Sequence, residues 1–261
     1  MYSIVRNLII YEGLEMSKSM KINKSCQPYF SVIIPTYNCE VELESSLLSL
    51  EAQTYVNYEC IIVDGKSTDN TNLIIKRWEK EKNINLRYIS ERDGGIYDAM
   101  NKVVHLANGE MVIFLGAGDT LKDKDVLRSV YGEKKAADVL YGFVSIKNSH
   151  EIIKRKMNLF TSFVYRPICH QAIFARRELL KQYPFRTQYK YVADQAWIME
   201  VYSKGAQFKY IDLDIAEYNY DGFSSTEEAR KISQIEILDA KKKFFPFQSK
   251  IIAVIRKARG V

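Results

Sequence analysis

The chain has 261 residues, 47% of them hydrophobic and 27% charged, which allows one large core and excludes a disordered or fibrous protein. A net charge of +6 suits an anionic ligand or surface, yet acids are mixed among the basic residues and no stripe suited to tracking a nucleic-acid backbone emerges. Cys26, Cys39, Cys60 and Cys169 show no CxxC pairing and the three histidines lack metal-ligand spacing, which argues against a zinc module and predicts free thiols in a reducing cytoplasm.

Residues 1–28 read as a poorly specified arm, with Met16 and Met20 as alternative starts, and no run is long enough to span a membrane. Phe30–Ile34 is a nearly unbroken apolar run ending at Pro35, the pattern of a buried parallel strand. Thr36, Tyr37 and Asn38 form a polar loop, and Leu43, Leu47 and Leu50 then repeat at helical spacing. A second strand at Glu59–Val63 runs into Asp64-Gly65-Lys66-Ser67-Thr68-Asp69. The following helix, Asn70–Lys82, sets Leu73, Ile74 and Trp78 on one side. After a third strand, Leu86–Ser90, the stretch Glu91–Lys102 carries Asp93, Gly94 and Gly95 ahead of a helix starting near Ile96. Its glycines and helix N-terminus suit close approach of an anion. Met111–Leu115 is the most apolar strand, hence central, and empties into Gly116-Ala117-Gly118-Asp119.

A helix at Asp123–Tyr131 and a strand at Asp138–Val144 continue the alternation, which predicts an α/β fold with a mostly parallel sheet flanked by helices. Such sheets bind ligands beyond the carboxyl ends of their strands. No GxGxxG follows any strand, which argues against a dinucleotide dehydrogenase. The second half is less regular. It offers an edge strand at Ile152–Lys156, a polar stretch from Arg166 to Phe174, helices at Arg176–Gln182 and Asp194–Lys204, and a strand at Gln207–Leu213. A polar helix at Ser225–Lys243 and a basic, apolar tail at Phe244–Arg259 complete it.

Asp64, Asp93 and Asp119 fall at strand ends or in the loops beyond them. Carboxylates there suit a nucleotide with a divalent cation, since magnesium or manganese is often held by one or two carboxylates with diphosphate oxygens completing the shell. Asp119 has a second reading as a turn residue capping 120–122, and Asp194 as the N-cap of its helix.

The segments PTYN at 35–38, IIVDGKSTD at 61–69, SERDGGIYDAMNK at 90–102, IFLGAGD at 113–119, CHQAIFARREL at 169–180 and YVADQAW at 191–197 resemble, in this order, the family-2 inverting glycosyltransferases of the GT-A fold. The stretch at 90–102 especially resembles bacterial members that build surface polysaccharides. The resemblance covers residues 30 to about 225. It implies an arm at 1–28 and a GT-A domain at 29–225, divided into a nucleotide-binding half (29–120) and a less regular acceptor half (121–225). A C-terminal helix with a basic amphipathic tail follows at 226–261.

The resemblance also implies roles. Pro35, Thr36 and Tyr37 line the donor's nucleobase, and Asp64 hydrogen-bonds that base, typically uracil. Asp93, Gly94 and Gly95 lie near the ribose, diphosphate and sugar. Asp119 is the last acid of the metal motif for Mn2+ or Mg2+, and Asp194 is the catalytic base. One departure matters: Gly116 and Gly118 stand where the motif usually carries further acids. His170 is a candidate contact to metal, diphosphate or acceptor, or a structural histidine, and Gly222-Phe223-Ser224 resembles a loop near the active site. The expected partners are a nucleotide-sugar donor, a saccharide or lipid-linked acceptor, and an anionic membrane surface for the tail at the inner face, with no nucleic acid. A sugar-phosphate nucleotidyltransferase and a non-catalytic nucleotide- or glycan-binding subunit are the alternatives.

Overall fold

The computed structural model describes residues 27–81, 84–133, 137–155, 168–219 and 226–247. Strand β1 (Phe30–Thr36) is buried along its whole length, as its apolar run demands. It reaches one residue past Pro35. The Leu115 N–H donates to Ile33 O and the Gly65 N–H to Thr36 O, so odd-numbered residues of β1 turn their backbone toward the strand that ends at Phe114, and even-numbered ones toward the strand that ends at Asp64. Proline's missing N–H therefore falls beyond the last rung with that first neighbour, Ile33 opposite Phe114, where no ladder bond is lost.

Helix α1 (Leu43–Glu51), β2 (Tyr58–Asp64), α2 (Thr71–Glu81), β3 (Leu86–Ser90), α3 (Ile96–Val104) and β4 (Met111–Phe114) follow in the expected alternation. In α2 the buried residues are Thr71, Ile75 and Trp78, while Leu73, expected on the inner side, is exposed. The chain continues through β5 (Thr120–Leu121), α4 (Val126–Gly132), β6 (Val139–Ile146) and β7 (Ile152–Ile153). A single 3-10 turn at His170–Ala172 leads into β8 (Ile173–Arg176), then α5 (Arg177–Gln182), α6 (Ala193–Ser203), β9 (Phe208–Tyr218) and α7 (Glu227–Phe244). Thr226 caps α7, accepting from the Ala229 N–H at 3.1 Å.

Among the described residues, nine strands join one sheet in the order β3-β2-β1-β4-β8-β6-β9-β5, with β7 on β6. Strands β1 to β4 pair in parallel. Beyond β4 the sheet is mixed, because β8 enters antiparallel between β4 and β6. From β1 the chain steps outward to β2 and β3, then returns to β4 on the other side of β1. The strand order reverses there, and a crevice opens beyond the carboxyl ends of β1 and β4.

Strand β9 runs parallel to β6 past a bulge. Gly142 makes this possible, since a Cβ there would lie 2.4 Å from Leu213 O. The longer β9 carries residues 217–219 up to the crevice. One core lies on each face of the sheet, the first built on α3, α5 and α6, the second on α1, α2 and α4.

At the opposite end of the sheet from the crevice, Glu59 is buried and accepts from Ser31 Oγ (2.6 Å), the Asn108 N–H (2.6 Å) and Arg87 (2.6 Å). Cys39, Cys60 and Cys169 are free thiols, and burial pushes Cys169 up to about 12. Among the described residues, no helix is long and apolar enough to cross a membrane.

Candidate active site

Two loops at the crevice are laced together. Asn38, in the left-handed region at φ 51°, donates its N–H to Ser67 Oγ (2.8 Å), while its Oδ1 accepts from the Thr68 N–H (2.9 Å). Cys39 N–H meets Thr71 Oγ1 (2.8 Å), Glu40 N–H meets Asp69 Oδ2 (3.1 Å), and Asn70 N–H returns to Glu40 Oε2 (2.8 Å). The lacing fixes the backbone on both sides of Tyr37, whose ring remains 63% exposed. Pro35 and Thr36 are buried beneath it.

Asp64 points inward. Fully buried, it accepts from Ser90 Oγ (2.7 Å), the Ser67 N–H (3.1 Å), Asn72 Nδ2 (3.2 Å), Thr36 Oγ1 (3.4 Å) and the Ser67 hydroxyl. In this geometry the Asp64 carboxylate ties the ends of β1, β2 and β3 to the 65–68 loop.

Asp93 borders that loop. A Cβ at Gly65 would lie 2.9 Å from Asp93 Oδ2 and 3.4 Å from the Tyr37 ring, so the glycine lets both side chains close in. Asp93 Oδ1 accepts from the Gly95 N–H (2.8 Å), and Asp98 Oδ2 from the Gly94 N–H (2.9 Å). Gly95, at φ 120°, then enters α3 in a conformation side chains rarely adopt.

One turn along, Tyr97 Oη reaches 3.1 Å to Asp194 Oδ1 and 3.1 Å to Tyr191 O. Burial and the Asp194 charge raise the phenol well above its ordinary value, so it is a permanent donor. Asp194 lies inside the first turn of α6, with Val192 at the cap, so it is not the N-cap. Its Oδ1 also accepts from the Gln195 N–H (2.8 Å), and its Oδ2 faces His170 Nδ1 (3.0 Å) and Gln195 Nε2 (3.3 Å). Burial alone would raise its pKa, but His170 and these donors outweigh it and hold the carboxyl below the usual range. Conversely, burial works against charge on His170, while Asp194 lifts its imidazole above the ordinary value.

The neighbouring Gln171 points the other way, its Nε2 donating to Asp119 Oδ2 at 2.9 Å. One 3-10 turn thus grips both acids. Asp119, 4% exposed, also accepts from the Gly116 N–H (3.2 Å) and from the Asn219 N–H (2.8 Å). Burial raises its pKa despite these donors. Gly116 leaves room for this arrangement, since a Cβ there would sit 2.6 Å from Asp119 Oδ2.

Among the described residues, no group of three or more His, Cys, Asp or Glu side chains is arranged to hold a metal ion. Asp119, the one acid of its loop, already accepts three donors and has no second acid beside it, so the described residues do not by themselves build a cation site. Sequence reasoning assigned no role to Tyr97 or Gln171, although both lie in quoted segments. It had no signal for Asn219, whose backbone N–H does the work. Gly222-Phe223-Ser224 lies outside the described residues.

The aspartates thus gather around one crevice at the switch point of the sheet, and a family model described as glycosyl transferase family 2 matches residues 31–198. The chain belongs to that family. It is a glycosyltransferase, 36% identical over 205 residues to the PGL/p-HBAD biosynthesis glycosyltransferase of Mycobacterium bovis, covering 76% of this chain and 80% of the relative. Its fold is that of S. aureus TarS 1-349 solved in complex with UDP-GlcNAc (TM-score 0.65, 22% identity, 82% of this chain and 66% of that one). It is equally that of the mannosyltransferase PcManGT from Pyrobaculum calidifontis in complex with GDP-Man and Mn2+ (TM-score 0.65, 21% identity, 84% and 64%). The chain spans just under two thirds of each solved chain.

Proposed function

We propose that this glycosyltransferase moves a sugar, with inversion, from a UDP-sugar to a saccharide or lipid-linked saccharide acceptor in cell-surface polysaccharide synthesis. The donor would occupy the 29–120 half, with its base on Tyr37 and its diphosphate toward Asp93, Gly94 and Gly95. The acceptor would lie against the 121–225 half. The observation that carries this reading is Asp194, an ionised carboxylate at the crevice held by Tyr97, His170 and Gln195.

In the step itself, Asp194 takes the acceptor hydroxyl's proton as that oxygen attacks the anomeric carbon from the face opposite the diphosphate. The anomeric carbon–oxygen bond to the diphosphate breaks, and the nucleoside diphosphate leaves with the bonding pair. No covalent nucleophile is needed. Tyr97 and His170 keep the carboxylate ionised and oriented. Manganese or magnesium, implied by the resemblance, would find a single acid here, Asp119, already engaged by three donors, and no step is routed through it.

The test is thermal stabilisation by UDP, GDP, dTDP and CMP, followed by transfer assays with the matching nucleotide sugars and stereochemical analysis of the product. Binding of UDP alone with an inverted product supports the reading. Retention at the anomeric centre would refute the single-displacement step, and indifference to every nucleotide would favour a glycan-binding subunit.

A peripheral contact with an anionic membrane is supported by α7, where Ile235 (69%) and Leu238 (49%) are exposed and Lys241–Lys243 fill the last turn. The tail beyond 247 lies outside the described residues. Deleting 244–261 should abolish sedimentation with anionic vesicles and spare nucleotide binding. Undiminished sedimentation refutes the contact.

A further inference from the structure

We infer that Lys147 is a further donor-binding residue, its ammonium supplying at the diphosphate the positive charge that the single-acid loop does not recruit as a metal ion. The inference rests on the donor reading above. Gly116 and Gly118 stand where the resemblance expects acids, and Lys147 Nζ donates to the carbonyl of Gly118 itself, at 3.3 Å. Gly118 adopts φ +95°, and its own N–H is tied to Ser46 Oγ (2.9 Å), so the carbonyl is fixed in place.

Lys147 is fixed as well. Its backbone N–H donates to Tyr218 O (2.9 Å), and the next residue along that strand, Asn219, donates to Asp119 Oδ1 (2.8 Å). Two adjacent residues thus hold the lysine and the acid of the loop on one rigid edge. Lys122, which also lies by β9, is neutralised by Glu217 (2.7 Å) and Asp214 (4.0 Å). Lys147 is half-buried, and among the described residues no carboxylate lies within ion-pair distance of it.

The electrostatics then differ from those of a multi-acid loop. Several carboxylates repel a diphosphate until a dication intervenes. A single buried carboxylate, already satisfied by three donors, is offset by one ammonium. The same charge is placed to stabilise the departing diphosphate.

The experiment measures affinity for UDP and uridine, both in EDTA, in the wild type and in Lys147→Met, Lys147→Gln and Lys147→Arg. The wild type should bind UDP in EDTA. Met and Gln should weaken UDP about tenfold or more while leaving uridine affinity and the ligand-free melting temperature unchanged, and Arg should retain UDP binding. Unchanged UDP affinity in the Met and Gln variants would overturn the inference while leaving the donor reading intact. So would wild-type UDP binding that EDTA abolishes and Mn2+ restores. Equal losses for uridine and UDP would mark Lys147 as structural and also overturn it. Failure of the wild type to bind any nucleoside diphosphate would instead remove the donor reading, and the inference with it.

Discussion

Asp194→Asn separates catalysis from architecture at the centre of the crevice. The carboxylate accepts from Tyr97 Oη and the Gln195 N–H on one oxygen, and faces His170 Nδ1 and Gln195 Nε2 on the other. An asparagine can keep its oxygen toward the first two, which donate in any protonation state. Its NH2 then faces His170, which can shed its proton and accept. Only the long contact to Gln195 Nε2 (3.3 Å) has no such remedy. The fold should therefore lose about 1–3 kcal/mol, the range for one compromised buried polar contact. Proton abstraction is lost outright. A positioned general base contributes roughly 10²–10⁴ in rate, equal to about 3–5 kcal/mol of barrier. The assay is nucleoside diphosphate release at saturating donor and acceptor, beside donor affinity from thermal shift. The expected pattern is kcat down by about 10²–10⁴ with donor affinity within about twofold. A variant that keeps more than about a tenth of the wild-type kcat would refute the base assignment. A variant that loses donor affinity in parallel would refute the separation of roles.

Two further predictions follow from buried charge. Glu59→Ala leaves Arg87, paired at 2.6 Å, without its carboxylate and strands the N–H of Asn108, so unfolding should be easier by about 3–5 kcal/mol in urea titrations; a change under about 1 kcal/mol would refute the network's role. For the His170–Asp194 pair, the histidine pKa is raised on folding, so its contribution is complete below the unfolded value near 6.5 and fades as pH rises through the raised value. The aspartate pKa is lowered, so its contribution is present above roughly 3.9 and fades as pH falls through the lowered value. The melting-temperature gap between wild type and His170→Gln should therefore be widest between about pH 4 and 6.5 and narrow on either side, whereas a gap that grows above pH 8 would contradict the pairing.

What the sequence discloses here depends on how local its cause is. Strands β1, β2 and β4 are legible because both faces of each are covered, which demands unbroken apolar runs. Strand β8 is not, since Ile173–Arg176 is a four-residue run whose strand character comes from β4 and β6 on either side. Strand β9 reads short because Asp212, Asp214 and Glu217 interrupt its apolar pattern; each is answered by a lysine distant in sequence, Lys154 or Lys122. The site divides in the same way. Strand-end aspartates can be picked out one by one, because position along a parallel strand is a local property. Their hydrogen-bond state is not local: Tyr97 is 97 residues from Asp194, and the Asn219 N–H is 100 residues from Asp119. These distant donors tie Asp194 and Asp119 into the structure around them. At the loops themselves, Gly65 lets the Tyr37 ring and Asp93 close in, and the ammonium of Lys147 rests on the Gly118 carbonyl.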